Sequence, residues 1–457
     1  MVNTEGSTTS NFNKPIETLT SPSMEPWRLA YNVVLSASWP GLWLYYLLRK
    51  AGSGKYTTSY SSRLGLCLPQ ISKAFSRPLW VHALSVGEVL SSVPLLHEIR
   101  HRQPEVAIVF SAATEKGLAV AQKEVGSLAE SIFYLPHDHL WSMTRLVRRL
   151  RPAAFILVET DLWPNLLWVL KKALVPVLMV NARLSLRSFR GYRRLAPISR
   201  SILACLDRIY VQSEEDARRF ASLGVPWTRL RLCGNLKFDL AVFQKEKYSQ
   251  KNGDPFFMFK DSRPLWIAGS THDGEEKILL QAHAMVLKRY SNILLVLAPR
   301  HIDRVHRLAH LCETMGLRWT LRSRANAIDH VHVFLLDSIG ELASLYPLAQ
   351  AAFIGGSLIP FGGHNPLEAA VHGVPSCWGP HLDNFREIEA FLLKERCGRR
   401  VHNAQELEAF LLETLEDRLS LSTRRRLCAH RVSAQAGAAS VIAQDLKLLM
   451  AENFRAK

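Results

Sequence analysis

The stretch PLWVHALSVGEVLSSVPLL, residues 78–96, contains the unit from which the rest of the chain is built. It opens with an apolar run typical of a fully buried strand, and the strand gives way to a helix. The same order recurs downstream, where short apolar runs alternate with longer helical patterns. That alternation predicts βαβ units and hence an α/β fold with parallel sheets. The further runs occupy 105–112, 153–159, 175–180, 208–212, 265–270, 292–299, 332–337 and 351–357.

A polar and charged segment interrupts this alternation at 241–264 and contains Gly-Asp-Pro. Its composition is typical of an interdomain linker. We therefore predict two doubly wound domains, 51–240 and 265–457. Because open α/β sheets bind ligands at the carboxyl ends of their strands, both domains are expected to present loops to a cleft between them.

The N-terminal segment has a different character from the two domains. Residues 1–25 are rich in Ser, Thr, Asn and Pro and predict a disordered tail. Residues 26–50 follow as a candidate membrane anchor, since 29–48 is almost free of charge and rich in Trp and Tyr. The excess of Lys and Arg after residue 50 predicts that the domains lie on the cytoplasmic side. Whether the segment spans the membrane or lies in its interface stays open, and the alternative is a buried core helix.

Composition restricts the class of protein. Of the 457 residues, 48% are hydrophobic and 21% are charged, which excludes wholesale disorder. The net charge of +17 predicts an anionic partner: a nucleic acid, an anionic lipid surface or a phosphorylated substrate. The seven cysteines are dispersed without a CxxC pair, which favours reduced thiols in a cytosolic compartment.

A glycine-rich motif, GGSLIPFGGHNPLEA at 355–369, follows a buried strand and precedes a predicted helix. Glycines let a backbone approach a ligand closely, and the N–H groups at a helix start attract phosphate. Glu368 would then be a partner for a ribose diol. Asn365 and Glu368 also have the spacing of a capping box, but capping leaves the paired glycines unexplained, so we favour the ligand-binding interpretation. The weaker candidate contacts in this motif are Gly362, Gly363 and His364.

Two other motifs place acidic residues directly after buried strands. In HALSVGE, residues 82–88, Glu88 falls in the first turn of a helix at the carboxyl edge of its sheet. A carboxylate there can act as a general base, or it can be stabilised by the helix dipole and have no other role. In ETDLWPN, residues 159–165, Glu159 and Asp161 can point the same way. Alternatively, Asp161 is the N-cap of a following helix.

Three basic segments are candidates for binding a phosphate. RLSLRSFRGYRR, residues 183–194, mixes arginines with aromatic residues and lacks acidic ones, which favours anion contact over a solvated loop. Arg300, in APRH, ends a strand and would reach the ligand edge of its sheet. Lys237, in GNLKFD, has the same candidate role, although a structural lysine fits equally well. In the first segment the candidates are Arg183 and Arg187.

Absent motifs disfavour several chemistries. The chain has no GxxxxGK[ST], which disfavours a P-loop nucleotidase, and no GxSxG, which disfavours an α/β-hydrolase. It also has no DxD, so a divalent ion held by paired aspartates is not expected. We predict neither a metal nor a cofactor.

The motifs HALSVGE, ETDLWPN, RLSLRS, GNLKFD, APRH, IGEL and the glycine-rich motif occur in this order. Together they closely resemble the 3-deoxy-D-manno-octulosonic acid (Kdo) transferases of Gram-negative bacteria, from about residue 27 to the C-terminus. The resemblance implies a GT-B fold, with two Rossmann-like doubly wound domains facing a cleft and an N-terminal membrane-associated helix. It also implies transfer of Kdo from CMP-Kdo to the lipid A precursor, metal-independent and with inversion at the anomeric carbon. The number of Kdo residues added stays open.

The resemblance further implies roles for individual residues. Glu88 matches the catalytic base of the SxGE motif, and Glu159 matches an acidic residue that supports activity. Asp161 stands where the family pattern has Glu, so its role is left open. The matches expected to hold CMP are Arg300, Ile339, Gly340, Asn365 and Glu368.

The implied partners are a CMP-Kdo donor, a lipid A precursor acceptor and the surface of the inner membrane. The net positive charge and the aromatic N-terminal segment suit a phosphorylated lipid. One alternative is another GT-B enzyme, such as a UDP-sugar-dependent lipid A disaccharide synthase. A second is a membrane-tethered nucleotide-binding or nucleic-acid-binding protein without catalysis. The lack of aromatic-interleaved basic tracts of the RNP type disfavours nucleic acid as a partner.

Overall fold

The computed structural model describes residues 26–53, 60–69, 77–249, 263–324, 330–416 and 418–455. The chain divides into two compact units. Unit 1 comprises residues 1–236 and 437–457, and unit 2 comprises residues 237–436. Each unit is built on a seven-stranded sheet in which every pairing is parallel. The predicted α/β fold with two doubly wound sheets is therefore confirmed.

The sheet of unit 1 contains β1 (Leu79–Ala83), β2 (Ile108–Ala112), β3 (Ser131–Tyr134), β4 (Ala154–Val158), β5 (Val177–Ala182), β6 (Arg208–Val211) and β7 (Leu230–Leu232). Their order across the sheet is β3-β2-β1-β4-β5-β6-β7. The chain order reverses between β1 and β4, and doubly wound sheets bind ligands beside such a switch point. All residues of β1, β2, β4 and β5 are buried, which explains their continuous apolar runs.

The helices that precede, cover and connect these strands are α1 (Pro26–Ser53), α2 (Tyr60–Arg63), α3 (Val86–Arg102), α4 (Glu115–Glu124), α5 (Leu140–Leu150), α6 (Pro164–Lys172), α7 (Leu186–Arg194), α8 (Ala196–Leu203) and α9 (Glu214–Ser222). Most follow a strand directly, so their first turns lie at the carboxyl edge of the sheet. Several begin at a serine or threonine whose hydroxyl accepts a hydrogen bond from an N–H of the first turn, as at Ser85, Thr114 and Ser213.

The sheet of unit 2 contains β8 (Leu265–Thr271), β9 (Leu294–Pro299), β10 (Trp319–Leu321), β11 (Val333–Leu335), β12 (Ala351–Ile354), β13 (Ser376–Trp378) and β14 (Gly398–Arg400). The order is β10-β11-β9-β8-β12-β13-β14, so the switch point lies between β8 and β12. The helices of this region are α10 (Leu236–Ser249), α11 (Glu276–Leu287), α12 (Val305–Thr314), α13 (Leu342–Leu345), α14 (Leu367–Ala370), α15 (Arg386–Lys394), α16 (Ala404–Glu416) and α17 (Arg418–Ser433).

The first boundary between the units differs from the predicted linker. Residues 241–249 continue α10 instead of leaving the helix, and unit 2 begins at Lys237. Residues 250–262, the rest of the predicted linker, lie outside the described residues. A helix of mixed composition is difficult to distinguish from a polar linker by sequence, because the hydrophobic face of α10 is short.

The second difference concerns the end of the chain. The last helix, α18 (Ala438–Arg455), belongs to unit 1 and packs against α3, so the predicted domain 265–457 is wrong in its final part. Arg102 donates a hydrogen bond to Ser440 Oγ at 2.8 Å. Asp445 Oδ2 accepts one from the Tyr210 hydroxyl at 3.2 Å and pairs with Arg231 at 3.1 Å. The sequence did not predict that α18 packs on unit 1, because an amphipathic terminal helix does not specify which hydrophobic core it covers.

The apolar N-terminal stretch forms one helix, α1, which continues through Pro40 and Gly41. No helix among the described residues has both the length and the hydropathy required to cross a bilayer. Polar contacts attach its first half to unit 1. The Tyr31 hydroxyl donates to Asp138 at 3.0 Å, and Asn32 exchanges hydrogen bonds of 3.1 and 2.9 Å with Asn165. The predicted tail, residues 1–25, lies outside the described residues.

Candidate functional site

Glu88 lies in the first turn of α3, directly beyond β1, as predicted. Its carboxylate accepts hydrogen bonds from the Leu84 N–H at 2.6 Å and from the Ser85 hydroxyl at 2.8 Å. Ser85 in turn accepts from the Glu88 N–H, so the two residues cap α3 reciprocally. The side chain is thus held in one orientation at the switch point of the sheet.

Two further carboxylates lie near Glu88. Burial raises the pKa of the Glu88 carboxyl to about 7, and the negative charges of Glu159 and Asp161 add to the rise, while its two hydrogen bonds oppose it. These three acidic residues converge on the end of β4 and the neighbouring start of α3. A carboxyl group that titrates near neutral pH is suited to accept a proton during catalysis.

Glu159 is held in an unusual backbone conformation. Its φ is 61°, and that of Asn181, at the end of the adjacent β5, is 55°. Non-glycine residues rarely adopt this left-handed region, and strain of this kind concentrates at functional sites. The Asn181 side-chain amide donates to Glu159 at 3.4 Å, and its carbonyl oxygen accepts from the Leu236 N–H at 3.0 Å. Asn181 therefore links Glu159 to the start of α10.

The structure excludes the predicted alternative in which Asp161 is the N-cap of α6. That helix begins at Pro164, and its N–H groups at Asn165 and Leu166 donate to the carboxylate of Asp138, each at 2.9 Å. Asp161 Oδ2 is buried and accepts no hydrogen bond from the residues that the structure describes. Burial, together with the charge of Glu159, raises the pKa of the Asp161 carboxyl.

The basic segment after β5 lies next to this acidic group. The Thr160 hydroxyl donates to the backbone carbonyl of Arg183, which connects the segment to the end of β4. Arg187 is exposed on α7, which has no buried residue. The structure therefore brings Arg183 close to the acidic cluster of unit 1, whereas a substrate contact of either arginine stays a prediction.

In unit 2, Arg300 lies directly after β9, adjacent to the switch point. Its backbone N–H donates to the Thr271 carbonyl at 2.9 Å. Its exposed side chain forms no ion pair or hydrogen bond with the described part of the chain. Burial raises the pKa of Glu368 to about 7, and the charge of Arg300 opposes this rise. The predicted neighbours Arg300 and Glu368 thus interact electrostatically at one edge of the sheet.

A cluster of aromatic and histidine rings lies beside Arg300. The rings of His272 and His364 are nearly parallel, with centroids 5.1 Å apart, and share a hydrogen bond of 2.8 Å between their Nε2 atoms. The ring centroid of Phe361 lies 4.0 Å from that of His272. Burial lowers the pKa of His364 to about 4, and the positive charge of Arg300 lowers it further. The cluster presents ring faces and a guanidinium, a combination that suits a nucleobase and a phosphate.

The first glycine pair of the motif has a different role from the one predicted. The N–H groups of Gly356, Ser357 and Leu358 donate to the buried Glu275 carboxylate at 2.7 to 2.9 Å, and the His272 N–H donates at 2.9 Å. An internal carboxylate therefore occupies the anion-binding backbone that we expected to face a phosphate. The four bonds join the end of β8 to the loop after β12.

The second glycine pair is required by packing. Gly362 and Gly363 have φ values of 99° and 74°. A Cβ atom would lie 2.5 Å from Asn384 Nδ2 at the first position and 2.2 Å from Leu382 Cδ1 at the second. This accounts for both glycines without a ligand, and a substrate contact by either stays a prediction.

The helix after the glycine motif is shorter than predicted. It is α14, of only four residues, and so offers little dipole to a phosphate. Asn365 Oδ1 accepts from the Leu367 N–H at 3.1 Å, two residues on, which is an Asx turn and not the capping box considered as the alternative.

Three other predicted contacts, Ile339, Gly340 and Lys237, lie in unit 2. Ile339 and Gly340 form the turn after β11, with Gly340 at φ 88° and the Ile339 side chain 83% exposed. Lys237 Nζ lies 5.0 Å from the ring centroid of Phe385. That contact fits the structural interpretation of the lysine.

Sequence reasoning missed His272 and Glu275 in unit 2, and Asn181 and Asp138 in unit 1. The first two follow the buried strand 265–270 in the segment THDGE, so the rule that located Arg300 would have found them. Among the described residues no group of three His, Cys, Asp or Glu is placed to hold a metal ion. The absence of a metal from the reaction stays a prediction.

We expect Glu275→Gln to destabilise unit 2, because an amide offers one acceptor oxygen where the carboxylate offers two. Two buried N–H groups would lose their partners, at roughly 1–3 kcal/mol each in free energy of unfolding. Chemical denaturation followed by circular dichroism measures the loss. Glu406→Gln is the control, since the carboxylate of that exposed residue accepts a backbone N–H, that of His402, at the surface. Equal stability of the two variants would contradict this role.

The fold and the two edge sites define a GT-B-type protein made of two Rossmann-like units. The UDP-GlcNAc 2-epimerase of Neisseria meningitidis shares this fold, with a TM-score of 0.60 and 14% identity over 81% of this chain and 99% of that one. The C-terminal CMP-Kdo binding domain of WaaA from Acinetobacter baumannii is 29% identical and covers 43% of this chain and 96% of that domain, with a TM-score of 0.36.

Sequence comparison identifies the family. The family described as 3-deoxy-D-manno-octulosonic-acid transferase (kdotransferase) matches residues 58–240. The 3-deoxy-D-manno-octulosonic acid transferase of Haemophilus influenzae is 32% identical over 88% of this chain and 93% of its own length. The chain therefore belongs to the Kdo transferases, a family of glycosyltransferases, and the predicted resemblance is confirmed.

Proposed function

We propose that this protein transfers Kdo from CMP-Kdo to a lipid A precursor during synthesis of the lipopolysaccharide core. The observation that carries the proposal is the Glu88 carboxylate, which is oriented by two hydrogen bonds and has a pKa of about 7. Membership of the Kdo transferase family indicates that the transferred sugar is Kdo. Unit 1 provides the base for the acceptor, and unit 2 binds the nucleotide of the donor.

The chemistry requires one proton acceptor and one stabilised leaving group. Ionised Glu88 takes the proton of an acceptor hydroxyl as its oxygen bonds to the anomeric carbon of Kdo. The bond from that carbon to the CMP phosphate breaks, and the electron pair leaves with CMP. Attack from the face opposite the phosphate inverts the configuration. Burial, to which the charges of Glu159 and Asp161 add, keeps the Glu88 pKa high enough for the carboxylate to accept the proton near neutral pH.

The leaving group needs positive charge on its phosphate. Arg300 supplies a guanidinium that no described residue neutralises by an ion pair, at the ligand edge of the sheet of unit 2. Stabilising charge that develops on a leaving group is worth several kcal/mol in a preorganised site. The ring faces of His272 and Phe361 would stack on the cytosine, and Glu368 would accept hydrogen bonds from the ribose hydroxyls.

The acceptor is a lipid, so the protein is expected to act at the cytoplasmic surface of the inner membrane. The contacts of Tyr31 and Asn32 hold one face of α1 against unit 1. The other face exposes Leu29, Val33 and Val34, at 57%, 59% and 67% of their surface. An apolar row on a helix whose first half is attached to the protein suits insertion into the interface of a bilayer.

We expect the double substitution Val33→Glu and Val34→Glu to move the protein from the membrane fraction to the soluble fraction, because two charges replace apolar surface at the lipid contact. Fractionation of cells followed by immunoblotting measures the shift. The control is Leu232→Glu with Leu427→Glu, which alters two exposed leucines that do not belong to α1. Retention of both variants in the membrane fraction would exclude α1 as the contact.

Mass analysis of the glycolipid made by the purified enzyme tests the reaction itself. With CMP-Kdo and a lipid A precursor, we expect the acceptor mass to rise by one or more Kdo residues, which also counts them. UDP-sugars serve as the comparison, because a related GT-B enzyme such as a lipid A disaccharide synthase would use them. Turnover of a UDP-sugar and not of CMP-Kdo would overturn the proposal.

A further inference from the structure

A groove of about 720 Å³ lies between α1 and α5, within unit 1. Its walls are formed by Leu29 and Ser36 of α1 and by Leu140 and Trp141 of α5. The volume is in the range that proteins use for lipids and other small ligands. Neither the acidic cluster around Glu88 nor the nucleotide-binding edge of unit 2 contributes to it.

The groove is amphipathic. Trp141 is 46% exposed and lies on the same surface as the apolar row of α1, which begins at Leu29. The Trp39 ring packs edge-on against the His139 ring, with ring centroids 4.5 Å apart. The Trp39 ring therefore contacts the residue before the N-terminal end of α5. One side of the groove therefore offers continuous apolar contact from α1 to α5.

The other side of the groove is cationic. Arg145 and Arg148 line it from successive turns of α5, and no acidic residue is among the lining residues. Arg145 donates to the Gly65 carbonyl at 3.4 Å. Arg148 is exposed and makes no ion pair or hydrogen bond with any residue that the structure describes. Two guanidinium groups beside an apolar channel are complementary to one ligand chemistry, a phosphate carried on an acyl chain.

We propose that this groove binds one anionic phospholipid of the bilayer, with an acyl chain between α1 and α5 and its phosphate on Arg145 and Arg148. The site goes beyond general adsorption of α1 to the membrane, because it holds a defined lipid in a defined place. It rests on the proposed membrane contact of α1 but not on the transfer reaction. The bound lipid would complete the packing of α1 on unit 1.

Titration calorimetry on the full-length protein tests this proposal, with monomeric dihexanoylphosphatidylglycerol below its critical micelle concentration as the probe. We expect saturable binding of one lipid per chain. Ser36→Trp fills the groove and should weaken binding at least tenfold. Ser38→Trp is the matched control on the same helix and should change it less than twofold, because Ser38 does not line the groove.

The charge requirement is tested separately. Arg148→Gln should weaken binding of the glycerol lipid about fivefold, the effect of removing one cation near an anionic lipid surface. It should weaken binding of dihexanoylphosphatidylcholine less, because the choline of that lipid already offsets the charge of its phosphate. Circular dichroism confirms that each variant is folded. Kdo transfer by the same preparations separates the two proposals, since native protein that transfers Kdo but shows no saturable lipid binding overturns only this one.

Two other results would also overturn the proposal. Equal losses in Ser36→Trp and Ser38→Trp would show that the helix surface binds lipid and the groove does not. One-for-one displacement of the probe by the lipid A precursor would identify the groove as part of the acceptor site.

Discussion

Glu88→Gln is expected to abolish Kdo transfer while CMP still binds with native affinity. The amide keeps the shape of the side chain and can accept the Leu84 N–H, but it cannot take a proton from the acceptor hydroxyl. A positioned general base contributes about 10²–10⁴ in rate, so kcat should fall by that factor with little change in the KM for the donor. Steady-state kinetics on the purified variant measures the loss. Turnover within tenfold of native would refute the role of base.

The same residue predicts the pH dependence of the native enzyme. Because the base acts in its ionised form and its pKa is raised to about 7, activity should fall as the pH drops below 7 and reach a plateau above it. The raised pKa also means that the charge of Glu88 disfavours folding above pH 7, so Glu88→Gln should unfold no more easily than native protein at pH 8. Glu115→Gln is the control, an exposed glutamate in the first turn of α4.

Arg300→Gln should weaken the binding of CMP and CMP-Kdo by roughly 10- to 100-fold, the effect of losing a hydrogen bond from a charged group to phosphate. Removal of its positive charge should also raise the pKa of Glu368 further above its usual range, since Arg300 holds that pKa down. Protonated Glu368 would accept fewer hydrogen bonds from ribose. Because native Glu368 is itself largely protonated at pH 6, the weakening should be larger at pH 8 than at pH 6.

Titration calorimetry with CMP measures the affinity of the Arg300 variant. Lys288→Gln removes an equal charge from an exposed position at the end of α11 and should bind CMP as native protein does. Glu88→Gln, which leaves unit 2 unaltered, should do the same. If Arg300→Gln and Lys288→Gln bind CMP equally well, Arg300 has no place in the nucleotide site.

The architecture was predictable where burial leaves a local pattern. Strands such as β1, β4 and β9 are buried on both faces, so each is a continuous apolar run that can be recognised in the sequence. The strands that the sequence did not predict, β3, β7, β10, β13 and β14, have three or four residues each. All of them except β13 include residues that are not buried, so they leave no continuous apolar run in the sequence.

The candidate site was predictable in position more than in function. Glu88, Glu159 and Arg300 were found because each directly follows a buried strand, and parallel strands bring their carboxyl ends to one edge. The glycine motif was found for the same reason. However, Gly356 and the two residues after it donate their N–H groups to Glu275, and the second glycine pair is explained by its backbone conformation and packing. Asp138, which caps α6, is 26 residues before Pro164 in the chain, so no local spacing could pair them.

Local order alone therefore determined the alternation of strands and helices, the two sheets and the side chains at their ligand edges, because periodicity and the strand-to-helix turn are properties of neighbouring residues. The tertiary structure decided that the Glu88 carboxylate is oriented and has a raised pKa. It also decided that the backbone N–H groups of the glycine motif are occupied by Glu275, and that the last helix belongs to unit 1. Those outcomes depend on desolvation and on hydrogen bonds between segments far apart in the chain. Neither quantity exists until the chain has folded.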